Sequence, residues 1–333
     1  MNLEVSFIIP VYNRPQEIEE LLESFLKVTG NEHFEIVIVE DGSTISSKKV
    51  VDQYRKSLHI SYFEKPNSGP GDSRNFGMRK AKGNYFIILD SDCLLPSHYF
   101  ETVKEHLQYH YTDCFGGADA AHESFSPLQK AINFTMTSVL TTGGIRGKKR
   151  SVQKFEPRSF NMGISKKAFE QTGGFSKIHP GEDPDLSQRI IKAGFETQFI
   201  PNAFVYHKRR ISWSKFHKQV SKFGLVRPIL NTWHPTSKKI TFWFPTLFIV
   251  FTIASVILGV AWSYIVLFPL LGYLLVLFTV SSVGNKSIYI GLLTIIAVFI
   301  QFFGYGWSYL KSTFYVQWLG KDPKVVFPQL FFK

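Results

Sequence analysis

The chain has 333 residues, enough for more than one average domain with a full core. Its formal charge of +12 is unevenly placed: residues 1–145 carry 13 Lys and Arg against 19 Asp and Glu, and residues 146–239 carry 20 against 6. No helix-turn-helix, zinc-finger or RNA-binding signature accompanies the basic block, which argues against a nucleic-acid partner.

Hydropathy divides the chain. Ile240 to Asn285 contains no charged residue, and after Lys286 the run Ser287 to Leu310 is again uncharged. A bilayer core needs roughly 20 apolar residues per helix, so residues 240–333 read as a membrane domain with about three hydrophobic helices and a short tail. Residues 1–239 read as a soluble domain. The basic block next to the apolar stretch suits an anionic lipid surface. The N-terminus has no basic n-region and runs straight into a strand, so no signal peptide is expected. The two cysteines, Cys93 and Cys114, have neither metal nor disulfide spacing and fit a reducing compartment.

In chain order, Val5–Pro10 is a short apolar run that predicts a buried strand. Glu17 to Val28 sets Ile18, Leu21, Leu22, Phe25 and Leu26 at helical spacing with Glu on the other face. Further strands are predicted at Ile36–Val39, Ile60–Phe63 and Tyr85–Leu89. Such strand–helix alternation predicts an α/β fold with a mainly parallel sheet, whose ligands sit beyond the carboxyl ends of the strands. Those ends carry Tyr12-Asn13, Glu40-Asp41, and Asp90 with Asp92. Residues 121–180 have weak periodicity, and Thr142 to Arg150 reads as a mobile loop. Trp213 to Arg227 is basic and aromatic, with Phe216, Val220 and Phe223 at helical spacing.

Several positions combine the right residue types for chemistry. Asp90-Ser91-Asp92 ends a buried strand, and two carboxylates so spaced share a hard cation, Mg²⁺ or Mn²⁺, or else form an ordinary turn. Asp41 in Asp-Gly-Ser reads as an acceptor for a base or ribose, or as a turn aspartate. Arg74 follows Ser68-Gly69-Pro70-Gly71, where glycines permit close backbone approach and a guanidinium can meet a diphosphate. Neither a Walker loop nor a dinucleotide fingerprint is present. Glu182-Asp183-Pro184-Asp185 supplies either a general base or caps for a helix N-terminus. His207 ends an apolar strand and is a third metal ligand, a diphosphate donor or a structural histidine.

Together these residues resemble the family-2 glycosyltransferases of GT-A fold, over roughly residues 3–227. Ser6–Asn13 is similar to the opening strand, and the resemblance puts Pro10 and Tyr12 at the nucleotide pocket. Val39–Ser43 resembles the Asp-Asp-Gly-Ser turn, with Glu40 in place of the first acid and Asp41 on the base. Leu89–Asp92 matches the metal motif, and Asn67–Asn75 the segment that carries an arginine to the diphosphate. Asn161–Ile164 and Gly173-Gly174-Phe175 are similar to the strand and loop before the base, and Glu182-Asp183 to the Glu-Asp motif. Gln219, Lys222 and Phe223 resemble an altered Gln-x-x-Arg-Trp motif of processive synthases and imply an acceptor or membrane side. Lys222 and Phe223 stand where that motif has Arg and Trp, which weighs against processive polymer extrusion.

The resemblance implies a nucleotide-sugar donor, Mg²⁺ or Mn²⁺ on Asp90, Asp92 and His207, Asp183 as general base with Glu182 beside it, and inversion at the anomeric carbon. The expected acceptor is a hydroxyl of a lipid-linked saccharide, in surface polysaccharide or glycolipid synthesis. The alternatives are transfer to a polyprenyl phosphate and a catalytically silent scaffold. Lys238 and Lys239 before the first apolar run place the soluble domain on the cytoplasmic face of the cell membrane, by the positive-inside tendency. Spans near 242–260, 262–281 and 288–310 would then leave the tail outside. The tail carries Lys311, Lys321, Lys324 and Lys333, against that tendency, so a re-entrant or interfacial segment is the other expectation.

Overall fold

The protein is described from a computed structural model, covering residues 3–30, 34–120, 125–142, 155–208 and 212–332. Its elements begin with strand β1 (Val5–Val11), helix α1 (Pro15–Leu26), β2 (Phe34–Asp41), α2 (Lys48–Tyr54), β3 (Ile60–Lys65), α3 (Pro70–Lys80), β4 (Tyr85–Leu89) and β5 (Cys93–Leu94). They continue with α4 (Tyr99–Tyr109), β6 (Cys114–Ala120), α5 (Pro127–Thr137), α6 (Val139–Thr142), β7 (Asn161–Ser165), α7 (Lys166–Thr172), α8 (Glu182–Lys192) and β8 (Thr197–His207). The last long helices are α9 (Trp213–Trp233), α10 (Phe244–Ala261), α11 (Phe268–Gly284) and α12 (Ile288–Ser312). The loop expected over Thr142–Arg150 lies, from residue 143 onward, outside the described residues.

The chain forms two compact units. One comprises residues 1–122, 149–207 and 331–333, the other residues 123–148 and 208–330. This differs from a division at 239/240: the strip 208–239 belongs with the apolar helices, and Phe331–Phe332 belongs with the sheet.

In the first unit the described strands form a sheet in the order β3-β2-β1-β4-β7-β6-β8-β5. The first four are mutually parallel. β7 runs antiparallel between β4 and β6, and β5 antiparallel beside β8. β1 is buried along its whole length, as expected of a strand covered on both faces. Alternate side chains go to opposite sides. Phe7, Ile9, Ile36, Ile38, Ile87 and Leu89 join a core with Ile18 and Phe25 of α1 and Val103 of α4. Ile8, Val37, Val39, Phe86 and Ile88 join another with Met78 of α3, Phe169 of α7 and Leu186 of α8. α3 lies so close to the sheet that a methyl group on Gly77 would stand 2.7 Å from Ile8 Cγ2.

In the second unit α12 packs along α9 through small residues. Gly224 leaves no room for a side chain against Tyr305, and Gly304 faces Val220 and Ser221. Ser312 Oγ donates to Leu225 O at 2.6 Å, and Gln317 Nε2 to Pro228 O at 3.0 Å. Three helical stretches, Ile240–Ala261, Tyr264–Gly284 and Ile288–Trp318, are long and apolar enough to cross a membrane. Large side chains such as Leu247, Ile257, Leu271, Leu275 and Leu292 stand exposed on them, as on a lipid-facing surface.

Candidate active site

Parallel pairing brings the carboxyl ends of β1, β2, β3 and β4 to one edge of the sheet, and the polar residues after each strand meet there. At the end of β1, Pro10 pairs with Val39 and Tyr12 is half exposed. Asn13 adopts φ 53°, which turns its Oδ1 onto Thr44 N at 2.8 Å and Ile45 N at 2.9 Å. Asparagine tolerates this left-handed region better than most residues, and the result ties the β1 turn to the β2 turn.

At the end of β2 the two adjacent acids do different work. Glu40 is buried, accepting from Ser43 Oγ, from Ser47 N at 2.8 Å and from Tyr62 Oη at 2.8 Å. Its fully engaged carboxylate organises the turn and is turned away from the edge. Asp41 receives Lys65 Nζ at 2.6 Å, Ser68 N at 3.0 Å and Gly69 N at 3.0 Å. It therefore anchors the glycine loop that starts α3. Gly69 sits at φ 92°, a conformation open to glycine, and Pro70 begins the helix.

Arg74, one turn into α3, is the hub. Its guanidinium donates from Nη2 to Asp90 Oδ1 at 2.6 Å and from Nη1 to Glu182 Oε1 at 3.0 Å. It also lies 5.2 Å over the Phe175 ring. The side chains of Arg74 and Glu182 are each only 4% exposed, while that of Asp90 is 30% exposed. His179 Nδ1 stands 3.0 Å from the same Glu182 Oε1. Burial pushes the Glu182 carboxyl up, but His179 and Arg74 outweigh it and hold it down to about 2. One forked cation thus joins Asp90 at the strand end to Glu182 at the helix start. Asp183, one residue on, is less buried, with Arg158 Nη1 at 3.8 Å. Asp185 is held by Arg189 of its own helix at 2.8 Å.

Asp92 faces a different set. Arg14 Nη1 donates to its Oδ2 at 2.7 Å, and His207 Nε2 lies 3.2 Å from its Oδ1. β5 pairs with β8 in a register that sets Cys93 opposite His207, which explains how a histidine 115 positions away meets the strand-end acid. Burial lowers the His207 pKa, but Asp92 and Asp119 more than compensate and raise it to about 9. Its ring also stacks on Phe160 at 5.0 Å. Burial works against the Asp92 charge too, yet His207 and Arg14 keep its carboxyl well below the usual range.

Ligand atoms of Asp92, Cys93 and His207 all lie within 4.8 Å of one another. Burial pushes the Cys93 thiol well above its ordinary value, so it stays a neutral thiol and a poor ligand for a hard ion. The donors left are a carboxylate and an imidazole, with Asp90 two residues away. That oxygen-rich set suits Mg²⁺ or Mn²⁺.

The structure thus gathers Pro10, Tyr12, Asp41, Arg74, Asp90, Asp92, Glu182, Asp183 and His207 in the first unit. Arg74 stands between the two acids instead of projecting freely toward a ligand. Gln219, Lys222 and Phe223 lie on α9 in the second unit, where Phe223 packs beside Phe216, Val220 and Ala297. Arg14, Lys65, His179 and Asp119 escaped sequence reasoning. Arg14 and Lys65 reach Asp92 and Asp41 across the strand ends, Asp119 meets His207 from β6, and His179 meets Glu182 three residues on.

Comparison with known proteins bears on the family and the fold. Residues 6–173, half of the chain, match the model of glycosyl transferase family 2. Among curated proteins, a Rickettsia bellii protein described as an uncharacterized glycosyltransferase is 43% identical over 91 residues, 27% of this chain and 13% of that one. The poly(ribitol-phosphate) beta-N-acetylglucosaminyltransferase TarS of Staphylococcus aureus is 32% identical over 114 residues, 33% of this chain and 20% of that one. These matches therefore span a fifth or less of the curated relatives' length. Among solved structures, mannosyltransferase PcManGT from Pyrobaculum calidifontis, in complex with GDP-Man and Mn²⁺, aligns with a TM-score of 0.64 at 16% identity, over 89% of this chain and 87% of that one. At that identity the likeness is one of fold, the GT-A architecture with its mainly parallel sheet. The chain belongs to glycosyl transferase family 2.

Proposed function

We propose that the protein is a metal-dependent, inverting glycosyltransferase that moves a sugar from a nucleoside-diphosphate donor to a hydroxyl of a lipid-linked or polymeric surface saccharide. The observation that carries this reading is the Arg74 bridge. It holds Asp90, after β4, against the first turn of α8, so a donor diphosphate and an acceptor hydroxyl would meet within one polar edge. Teichoic-acid-type relatives such as TarS, named for a poly(ribitol-phosphate) acceptor, favour a hydroxyl-bearing polymer as the substrate class.

In this reading Asp41 and the Ser68–Gly69 loop bind the nucleoside. Lys65, ion-paired to Asp41, keeps that carboxylate oriented. Asp92, Asp90 and His207 would hold Mg²⁺ or Mn²⁺, which when bound neutralises the diphosphate leaving group. His207 gives up its proton to do so, since only neutral imidazole ligates a metal. Asp183 is the general base. Glu182 is unsuited to that task, because Arg74 and His179 hold its charge and it has little appetite for a proton. Three apolar helices keep the enzyme at a membrane, with the catalytic unit on the cytoplasmic side and basic residues of 155–239 against anionic lipid.

The test is a panel of nucleotide sugars given to the purified full chain, with nucleotide release read with and without Mg²⁺ or Mn²⁺. Metal-dependent release that disappears in Asp92→Asn, with the fold intact by circular dichroism, is the expected result. Full activity in excess chelator would remove the metal from the mechanism.

A further inference from the structure

Beyond the third apolar helix the chain returns to the first unit. Phe331 bridges Ile178 in antiparallel fashion, and Phe332 N donates to Lys177 O at 3.0 Å. This isolated bridge ties the chain's last residues to the loop that runs from Gly174 to Gly181. The partly buried Phe332 ring then rests on two elements of the site. On one side it covers Gly69, where even a methyl group would overlap it. On the other it approaches the His179 ring at 6.0 Å between centroids.

Each of those contacts leads to a charged group. The amide of Gly69 is bound to Asp41, and His179 is bound to Glu182, which holds Arg74 and through it Asp90. One aromatic ring therefore spans the loop on the nucleoside side and the loop on the diphosphate side. The backbone pairing of residues 331–332 with Lys177–Ile178 does not involve the ring, so the ring is free to serve the spacing of the loops.

We infer that Phe332 is a positioning residue of the donor site, holding the Gly69 loop and the His179 loop at the separation a nucleoside diphosphate requires. This rests on reading Asp41 and Gly69 as the nucleotide-binding edge, and the experiment separates the two ideas. Full-length protein in detergent is titrated calorimetrically with UDP, GDP, dTDP and ADP in Mg²⁺, and the tightest of the four serves as the probe. Phe332→Ala should weaken the probe about tenfold, a loss of about 1.4 kcal/mol. Phe332→Tyr, which keeps the ring, should bind like wild type. The nucleotide-free melting temperature of both should stay within about 2 °C of wild type, because the backbone links persist. Asp41→Asn is the control and should weaken the probe by at least as much.

Unchanged affinity in Phe332→Ala beside a weakened Asp41→Asn would overturn the role of Phe332 alone. Unchanged affinity in Asp41→Asn, or no binding of any of the four nucleotides, would overturn the donor-edge reading and the inference with it. A fall in melting temperature in Phe332→Ala that Phe332→Tyr restores would reduce Phe332 to general packing.

Discussion

Replacing Arg74 with methionine keeps the side chain's length and apolar stem but removes the charge between Asp90 and Glu182. Removing one partner from a buried ion pair costs about 3–5 kcal/mol, because the other charge is left uncompensated. The low end applies here. Asp90 is 30% exposed and water can screen it, and Glu182 keeps His179. The pKa gives a similar size from the other direction. Glu182 falls from an ordinary value of 4.5 to about 2, and each unit is worth 1.36 kcal/mol, or about 3 kcal/mol in all, which Arg74 shares with His179. The folded value lies below the unfolded one. That stabilisation is therefore complete above about pH 4.5 and is lost as pH falls toward about 2. Arg74→Met should accordingly lose about 2–3 kcal/mol at pH 7, and its deficit against wild type should shrink on acidification through that window. Tryptophan fluorescence would miss the effect, because all six tryptophans lie between residues 213 and 318, in the second unit. Pulse proteolysis in urea, followed on fragments of the first unit, is the suitable assay. Equal stability of variant and wild type at pH 7, or a deficit of constant size from pH 7 to pH 3, would refute the account of the bridge.

Asp183→Asn should lower transfer to a hydroxyl acceptor by about 10²–10⁴-fold with donor affinity nearly unchanged, the usual size of general-base assistance. Initial rates beside donor titration would measure it, and near-normal transfer would remove Asp183 from the role. Phe331 and Phe332 belong to the same folded unit as Ile178, so if the apolar helices between them cross a membrane, they do so an even number of times. Single cysteines at exposed Glu64 and Lys321 should therefore label from the same side with a membrane-impermeant maleimide, the native Cys93 and Cys114 being buried. Opposite sidedness would show three full spans and an undocked tail. Gly77→Ala should cost about 1–3 kcal/mol by overpacking against Ile8 and Val39, measurable in the same proteolysis assay. No loss there would mean that α3 can lift from the sheet at little cost.

Sequence alone determined the α/β core, the family and the strand-end acids, because these are local signals. A buried strand is a run of four to eight apolar residues such as Ile36–Val39 or Tyr85–Leu89, and its polar stop is the next residue along. The apolar stretches after residue 240 are legible for the same reason, since helix length against bilayer thickness is a one-dimensional comparison. What each acid does was decided by tertiary structure. Glu40 and Asp41 are neighbours in a turn, yet one closes the turn from within and the other anchors the Gly69 loop, a division set by side-chain alternation at the end of β2. Nothing in the local sequence shows that Glu182 pairs with Arg74, more than a hundred residues earlier. His207 meets Asp92 only because β8 enters the sheet beside β5. The return of Phe331–Phe332 to the first unit has no local signature at all: it depends on a backbone pairing with Ile178, which costs and gains nothing that a sequence window can register. Charge partners, long-range pairing and the path of the chain around a membrane are properties of distance in space. Only the fold supplies those distances.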